Sequence, residues 1–246
     1  MNVELGPPGG TIEARAVAIR TAQALIAVFA GVVAAGAVVP AFEWLALTLG
    51  FGADSAATAV FITVGNAAGF AAAALLFLLY AGDLDVLRVR RPTVRDAGVA
   101  VAGAVGLVVA GYGILLAFAA AGLSPSTNEA LTNPPLYFLA MIPLSFLTVA
   151  VGEELLFRGV VQGELGRALG PAGAVAGASL LFGLLHYVAG TGTPAEKLVY
   201  VAVAATLGLG LGALYEYTDS IAVPIVVHGA YNAVQFGVQY VEATGL

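Results

Sequence analysis

Seven stretches of the 246-residue sequence contain no Asp, Glu, Lys or Arg: 22–42, 55–82, 97–128, 130–152, 168–195, 198–215 and 220–241. A helix needs about 20 apolar residues to cross a bilayer, and each stretch is near or above that length. Lipid offers backbone groups no hydrogen-bond partner, so such stretches must form helices or a closed barrel. A barrel strand alternates polar and apolar residues, and these stretches do not. The expected fold is therefore all-α, a polytopic transmembrane helix bundle of about seven helices, with six to eight allowed by the run lengths. In the longest run, Pro125 and Asn128 are expected beyond the helix end.

Composition agrees. Charged residues make up 10% of the chain and the mean hydropathy is +0.97. A soluble domain is about one quarter charged, so this chain carries too little charge to solvate a globule. With no cysteine, disulfides and thiolate chemistry are excluded. No basic face is left over for nucleic acid. The first crossing, 22–39, has Arg15 and Arg20 ahead of it but exceeds the apolar core of a signal peptide, so a retained helix is expected. The Gly/Pro-rich start, Gly6–Gly10, is expected to be loose.

The sequence reads as one membrane domain, 1–246. Its basic residues predict its orientation, because short cytoplasmic loops are rich in Lys and Arg. Arg15 and Arg20 precede the first crossing. Arg88, Arg90, Arg91 and Arg95 follow the second, and Arg158 and Arg167 lie toward the turn after the fourth. Seven crossings put all eight on one face and Lys197 alone on the other. That predicts a multi-pass protein of the cell membrane with a cytoplasmic N-terminus and an external C-terminus. Gly65/Gly69 and Gly208/Gly212 have the spacing of close helix packing.

Ionisable residues inside a bilayer cost free energy and require a partner or a function. Here they are Glu153, Glu154, Arg158, His186 and His228. Gly170-Pro171 marks a hairpin turn, with Gly ending one helix and Pro starting the next. Glu153 lies 17 residues before Gly170 and His186 lies 16 after it. At the rise of an α-helix both sit about 25 Å from the turn, at one depth. Glu154 and Arg158 have the spacing of an ion pair. His228 and Asn232 share a helix face, Pro224 is expected to open the helix one turn earlier, and Gly229 gives space beside the histidine.

A carboxylate, two imidazoles and an amide around one cavity suit water activation. Glu153 would take the proton, His186 would help hold the water, and His228 and Asn232 would donate to a developing oxyanion. The same Glu153, His186 and His228 also form a donor set for a divalent metal such as Zn²⁺, with a position left open for water. Two other classes stay open: a proton-coupled transporter, whose relay would also use buried Glu and His, and a catalytically idle scaffold or immunity partner.

These residues carry a family resemblance. Glu153-Glu154-Leu155-Leu156-Phe157-Arg158 resembles the EExxxR motif of the CPBP family, which includes CAAX prenyl endopeptidases, bacteriocin-processing enzymes and Abi-like proteins. Phe182 to His186 is similar to its FxxxH motif, and His228 to Asn232 to its HxxxN motif. The likeness spans about residues 135–240, the expected catalytic core. It implies an intramembrane endopeptidase acting on a peptide or protein, with its site open toward the cytosol. By position it implies Glu153 as the catalytic carboxylate, His186 as its partner, His228 and Asn232 as oxyanion donors, and Glu154 with Arg158 in support. The family is described both as metalloprotease and as metal-free glutamate protease. The prenyl substrate is not carried over.

Overall fold

A computed structural model of the protein describes residues 9–126 and 132–246, with side chains from Ala14 onward. Gly6–Pro8 and Asn128 lie outside the described residues. Gly9 and Gly10, expected in a loose start, already belong to the first helix. The helices are α1 (Gly9–Thr48), α2 (Ala56–Ala81), α3 (Val94–Ala120), α4 (Pro135–Leu144), α5 (Ala150–Glu154), α6 (Gly163–Ala189), α7 (Pro194–Thr218) and α8 (Ala222–Thr244). A 3₁₀ turn, Leu84–Leu87, leads into α3. Two π-helical segments, Ser145–Val149 and Leu155–Gln162, join α4, α5 and α6 into one stretch.

That stretch, 135–189, is 55 residues long and folds back within α6. Gly170 has φ 70° and ψ 176°, outside helical geometry, and Pro171 begins the return helix. The expected hairpin is thus present. The stretch forms two crossings, and the described residues form seven in all. Four of the others are long and apolar enough by composition to span a bilayer. The exception is α8, which has the length but carries His228, Asn232, Gln235 and Gln239.

Apolar side chains divide between core and lipid. Phe70, Leu78, Leu156, Phe157, Val160 and Phe182 are buried together, while Phe29, Leu76, Val101 and Leu147 point outward. Close backbone approach shapes the bundle. A Cβ at Gly69 would overlap the backbone of Ala35 in α1, and one at Gly65 would come within 2.9 Å of Phe42. At Gly212 it would meet Gln162 at 2.8 Å. Both paired-glycine spacings are therefore packing contacts.

The arginines lie at one face, with one exception, and there they tie helix ends together. Arg20 of α1 pairs with Glu164 at 2.7 Å. Arg167 pairs with Glu164 at 2.9 Å and with Asp83 after α2. Arg88 reaches Glu216 of α7 at 3.0 Å. Arg90 grips Asp96 through two bonds of 2.7 and 2.8 Å and donates to the Thr218 carbonyl. Arg158 is the exception. It was expected near the turn after the fourth crossing, but its side chain is fully buried. Twelve residues of helix separate it from Gly170, enough to carry it into the bundle.

Gly152, one residue before the paired glutamates, has no space for a side chain: a Cβ there would overlap the Ala67 carbonyl oxygen of α2. Gly152→Ala is expected to destabilise the protein by about 1–3 kcal/mol through overpacking. Gly98→Ala, where a Cβ meets open space, is expected to change little. Thermal unfolding in detergent compares the two, and equal stability would show that the α2 contact does not constrain this turn.

Candidate active site

The two glutamates sit in α5, a single α-helical turn between the π-helical segments. A π segment widens the helix and shifts the register of its side chains, and such segments recur at functional sites. The polar side chains of this region do not follow one straight helical stripe as a result. Glu154 turns inward and is fully buried, while Glu153 faces a cavity.

His228 lies between the two carboxylates. Its Nδ1 is 2.8 Å from Glu154 Oε1 and its Nε2 is 3.7 Å from Glu153 Oε2. A carboxylate accepts, so Nδ1–H donates to Glu154 and the ring orientation is set. The 3.7 Å gap is too long for a direct hydrogen bond, but both atoms can touch one oxygen placed between them. Below, Arg158 Nε lies 2.9 Å from Glu154 Oε2. The chain Arg158–Glu154–His228 therefore holds the imidazole from beneath.

His186 is placed differently. Its Nδ1 is 2.8 Å from the Phe182 carbonyl one turn back, so Nδ1 donates and a neutral ring presents Nε2 as an acceptor. Phe182, read from sequence as packing, supports both histidines. Its ring centre is 4.5 Å from that of His186 and 5.9 Å from that of His228. The Arg158 guanidinium lies 5.3 Å from the same ring. Tyr200 of α7 meets His186 edge-on at 5.4 Å.

Glu153, His186, His228 and Asn232 all line one cavity of about 580 Å³. The expected convergence of these four residues is thus present. Two local expectations change. Pro224 falls in the first turn of α8, where its missing N–H breaks no helical bond, so it does not open the helix beside His228. Gly229 accommodates Phe146 of the π segment rather than leaving free space, since a Cβ would lie 2.6 Å from its ring. The pair Glu154–Arg158 does more than pack, because it bonds the site histidine. α1 and α2 also line the cavity, with Gly36, Asn66 and Phe70. Sequence reasoning passed over Asn66, although it is the one amide in the uncharged run 55–82.

Residues 135–234 match the family model described as type II CAAX prenyl endopeptidase Rce1-like. Over this segment the chain is similar to that family. The matched segment starts with α4, ends within α8 and contains all seven motif residues. The chain is similar to the protein named "Uncharacterized protein YpbD" of Bacillus subtilis (strain 168), at 34% identity over 105 residues, 42% of this chain and 49% of the relative. The chain thus matches about half the length of that curated relative. No solved structure matches. That family is one of intramembrane proteases, and α1 and α2, which lie outside the match, line the cavity beside the motif residues.

The metal alternative meets a geometric test here. Among the described residues, no three His, Asp or Glu side chains are grouped to hold one ion. Both Nδ1 atoms are engaged, by Glu154 and by the Phe182 carbonyl, which leaves the two Nε2 atoms as the ring positions a metal could take. Glu153, His186 and His228 offer the donor types a divalent metal takes, but they are not drawn together into a ready three-ligand centre.

The buried ion pair yields a stability prediction. Arg158→Met leaves the Glu154 carboxylate with His228 alone, and loss of one partner of a buried pair costs about 3–5 kcal/mol. The double change Glu154→Gln with Arg158→Met removes both charges and is expected to recover part of that loss. Unfolding in detergent measures both, and an Arg158→Met protein as stable as the parent would refute the support role.

Proposed function

We propose that the protein is an intramembrane endopeptidase in which Glu153 activates water against a peptide carbonyl. The observation that carries this reading is His228 held between Glu153 and Glu154 on the wall of the cavity. A water between Glu153 Oε2 and His186 Nε2 gives its proton to Glu153 as its oxygen attacks the carbonyl carbon. Charge then develops on the carbonyl oxygen. His228, with Nδ1–H anchored on Glu154, donates from a protonated Nε2, and the Asn232 amide donates beside it. Collapse of the tetrahedral intermediate breaks the C–N bond, and Glu153 returns the proton to the leaving amine. The carboxylate is regenerated, and the products are a carboxylic acid and an amine.

The protein's own side chains carry each of these steps, which favours the glutamate type over a zinc peptidase. The substrate class is a peptide or protein segment reaching the cavity within the membrane. Prenylation of that segment is not part of the reading, since no feature of the cavity selects for it.

General acid–base groups contribute about 10²–10⁴ in rate. Glu153→Gln is expected to lower cleavage by that order while leaving thermal stability intact, and His228→Ala and Asn232→Ala to slow it as well. The assay is proteolysis of a membrane-protein substrate identified by mass spectrometry of cleaved termini. Full proteolysis by Glu153→Gln would sink the mechanism. In a parallel measurement, purified active protein is expected to keep its activity after chelation. One zinc per chain, lost together with activity, would replace the glutamate reading with the metal one.

A further inference from the structure

One wall of the site cavity comes from α1 and α2, and it carries a backbone carbonyl and an amide side chain that the reaction does not use. Pro40 lies inside α1. It has no N–H, so the carbonyl of Gly36, four residues back, loses its helical donor. Gly36 and Pro40 both line the cavity, and the carbonyl points along the helix from the first toward the second. Gly36 sets no side chain over it, and a Cβ there would meet nothing within 4 Å. A backbone group freed inside a bilayer needs a new partner.

Asn66 is the second group. It is exposed in the membrane-spanning helix α2 and lines the same cavity. Among the described residues its amide has no hydrogen-bond partner. The other polar side chains of the cavity are engaged. Thr63 donates to the Ala59 carbonyl at 3.0 Å and accepts from the Tyr137 hydroxyl at 3.0 Å. Tyr200 packs on His186. Glu153, His186, His228 and Asn232 serve the water and the oxyanion in the proposed reaction.

Helix packing fixes where the two groups stand. Gly65 and Gly69 of α2 meet Phe42 and Ala35 of α1. Asn66 is therefore level with Pro40, one turn or about 6 Å from Gly36 along the helix. On its other side α2 meets α5, where Gly152 presses on the Ala67 carbonyl. Asn66 and Glu153 each adjoin that contact by one residue. An extended peptide repeats its main-chain groups along one edge every two residues, about 7 Å. The spacing of the two wall groups is close to that repeat.

From this geometry we propose that the Gly36 carbonyl and the Asn66 amide form the edge that holds the substrate's main chain. An N–H of an extended segment donates to the Gly36 carbonyl, and Asn66 bonds a main-chain group two residues along. The segment is thereby laid beside Glu153 and recognised by its backbone rather than by its side chains. A peptide entering a cavity within the membrane sheds water from these groups, so each needs a partner there. That the ligand is a peptide rests on the peptidase reading.

Two substitutions test the edge. Asn66→Leu removes the amide at similar volume. Pro40→Ala returns an N–H to α1, which can then bond the Gly36 carbonyl and withdraw it from the cavity. The probe is a fluorescent synthetic peptide spanning the cleavage site located by mass spectrometry. Each lost hydrogen bond is expected to raise KM about 3- to 10-fold and to change kcat by less than about twofold. In the Glu153→Gln background the same substitutions are expected to raise the Kd of the peptide by the same factor. Pro40→Ala is expected to be at least as thermally stable as the parent, so weaker binding by it is no folding defect. Methylation of single peptide N–H groups adds a second readout. At one position it is expected to weaken binding to the parent and to leave binding to Pro40→Ala unaffected. Asn66→Ser replaces Asn66→Leu if that protein does not accumulate. Unchanged KM and Kd in either substitution, or an equal methylation penalty for the parent and Pro40→Ala at every position, would overturn the edge and leave the peptidase reading standing. Full proteolysis by Glu153→Gln would remove the glutamate mechanism but not the binding comparison. A parent protein that cleaves no peptide would remove the peptidase reading and this inference together.

Discussion

A fully buried carboxylate, Glu154, organises the centre of this protein. It is held by Arg158 on one side and by His228 on the other. Removing a charged pair from water is expensive, and such a pair persists only with good geometry and further hydrogen bonds. Here the histidine supplies the further bond, so the stability of the ion pair and the position of the imidazole are one problem. The surroundings follow from it. Phe182 covers the guanidinium and both rings, Gly152 lets α5 press against α2, and Gly229 lets α8 press against the π segment. Each close approach brings His228 toward the glutamates.

The arrangement also separates two carboxylates that are adjacent in sequence. Glu154 faces the buried interior and Glu153 faces the cavity. One imidazole touches both environments, with Nδ1 fixed by the first and Nε2 facing the second. In the proposed mechanism that asymmetry gives neighbouring residues different tasks, one positioning and one acting on water. It arises because α5 is a short α-helical turn bounded by wider π turns.

The two ends of the bundle around this centre differ. At the arginine face, helix ends are joined by ion pairs over an apolar layer. At the Lys197 face lies a depression that shares Ile62, Thr63 and Ala189 with the site cavity.

The sequence by itself determined the solvent and much of the plan. Uncharged runs demanded helices in lipid, Gly170-Pro171 marked the hairpin, and hairpin spacing brought Glu153 and His186 to one depth. The motif residues were legible because ionisable groups in lipid are rare and need a reason. What sequence could not contain were contacts between distant helices. The bond from His228 to Glu154 joins residues 74 positions apart, and no helical spacing predicts it. The π segments, the contribution of Asn66 and α1 to the cavity, and the seat of Phe146 against Gly229 depend on packing between helices. Local spacing fixes what lies on one helix face; only tertiary packing decides what that face meets.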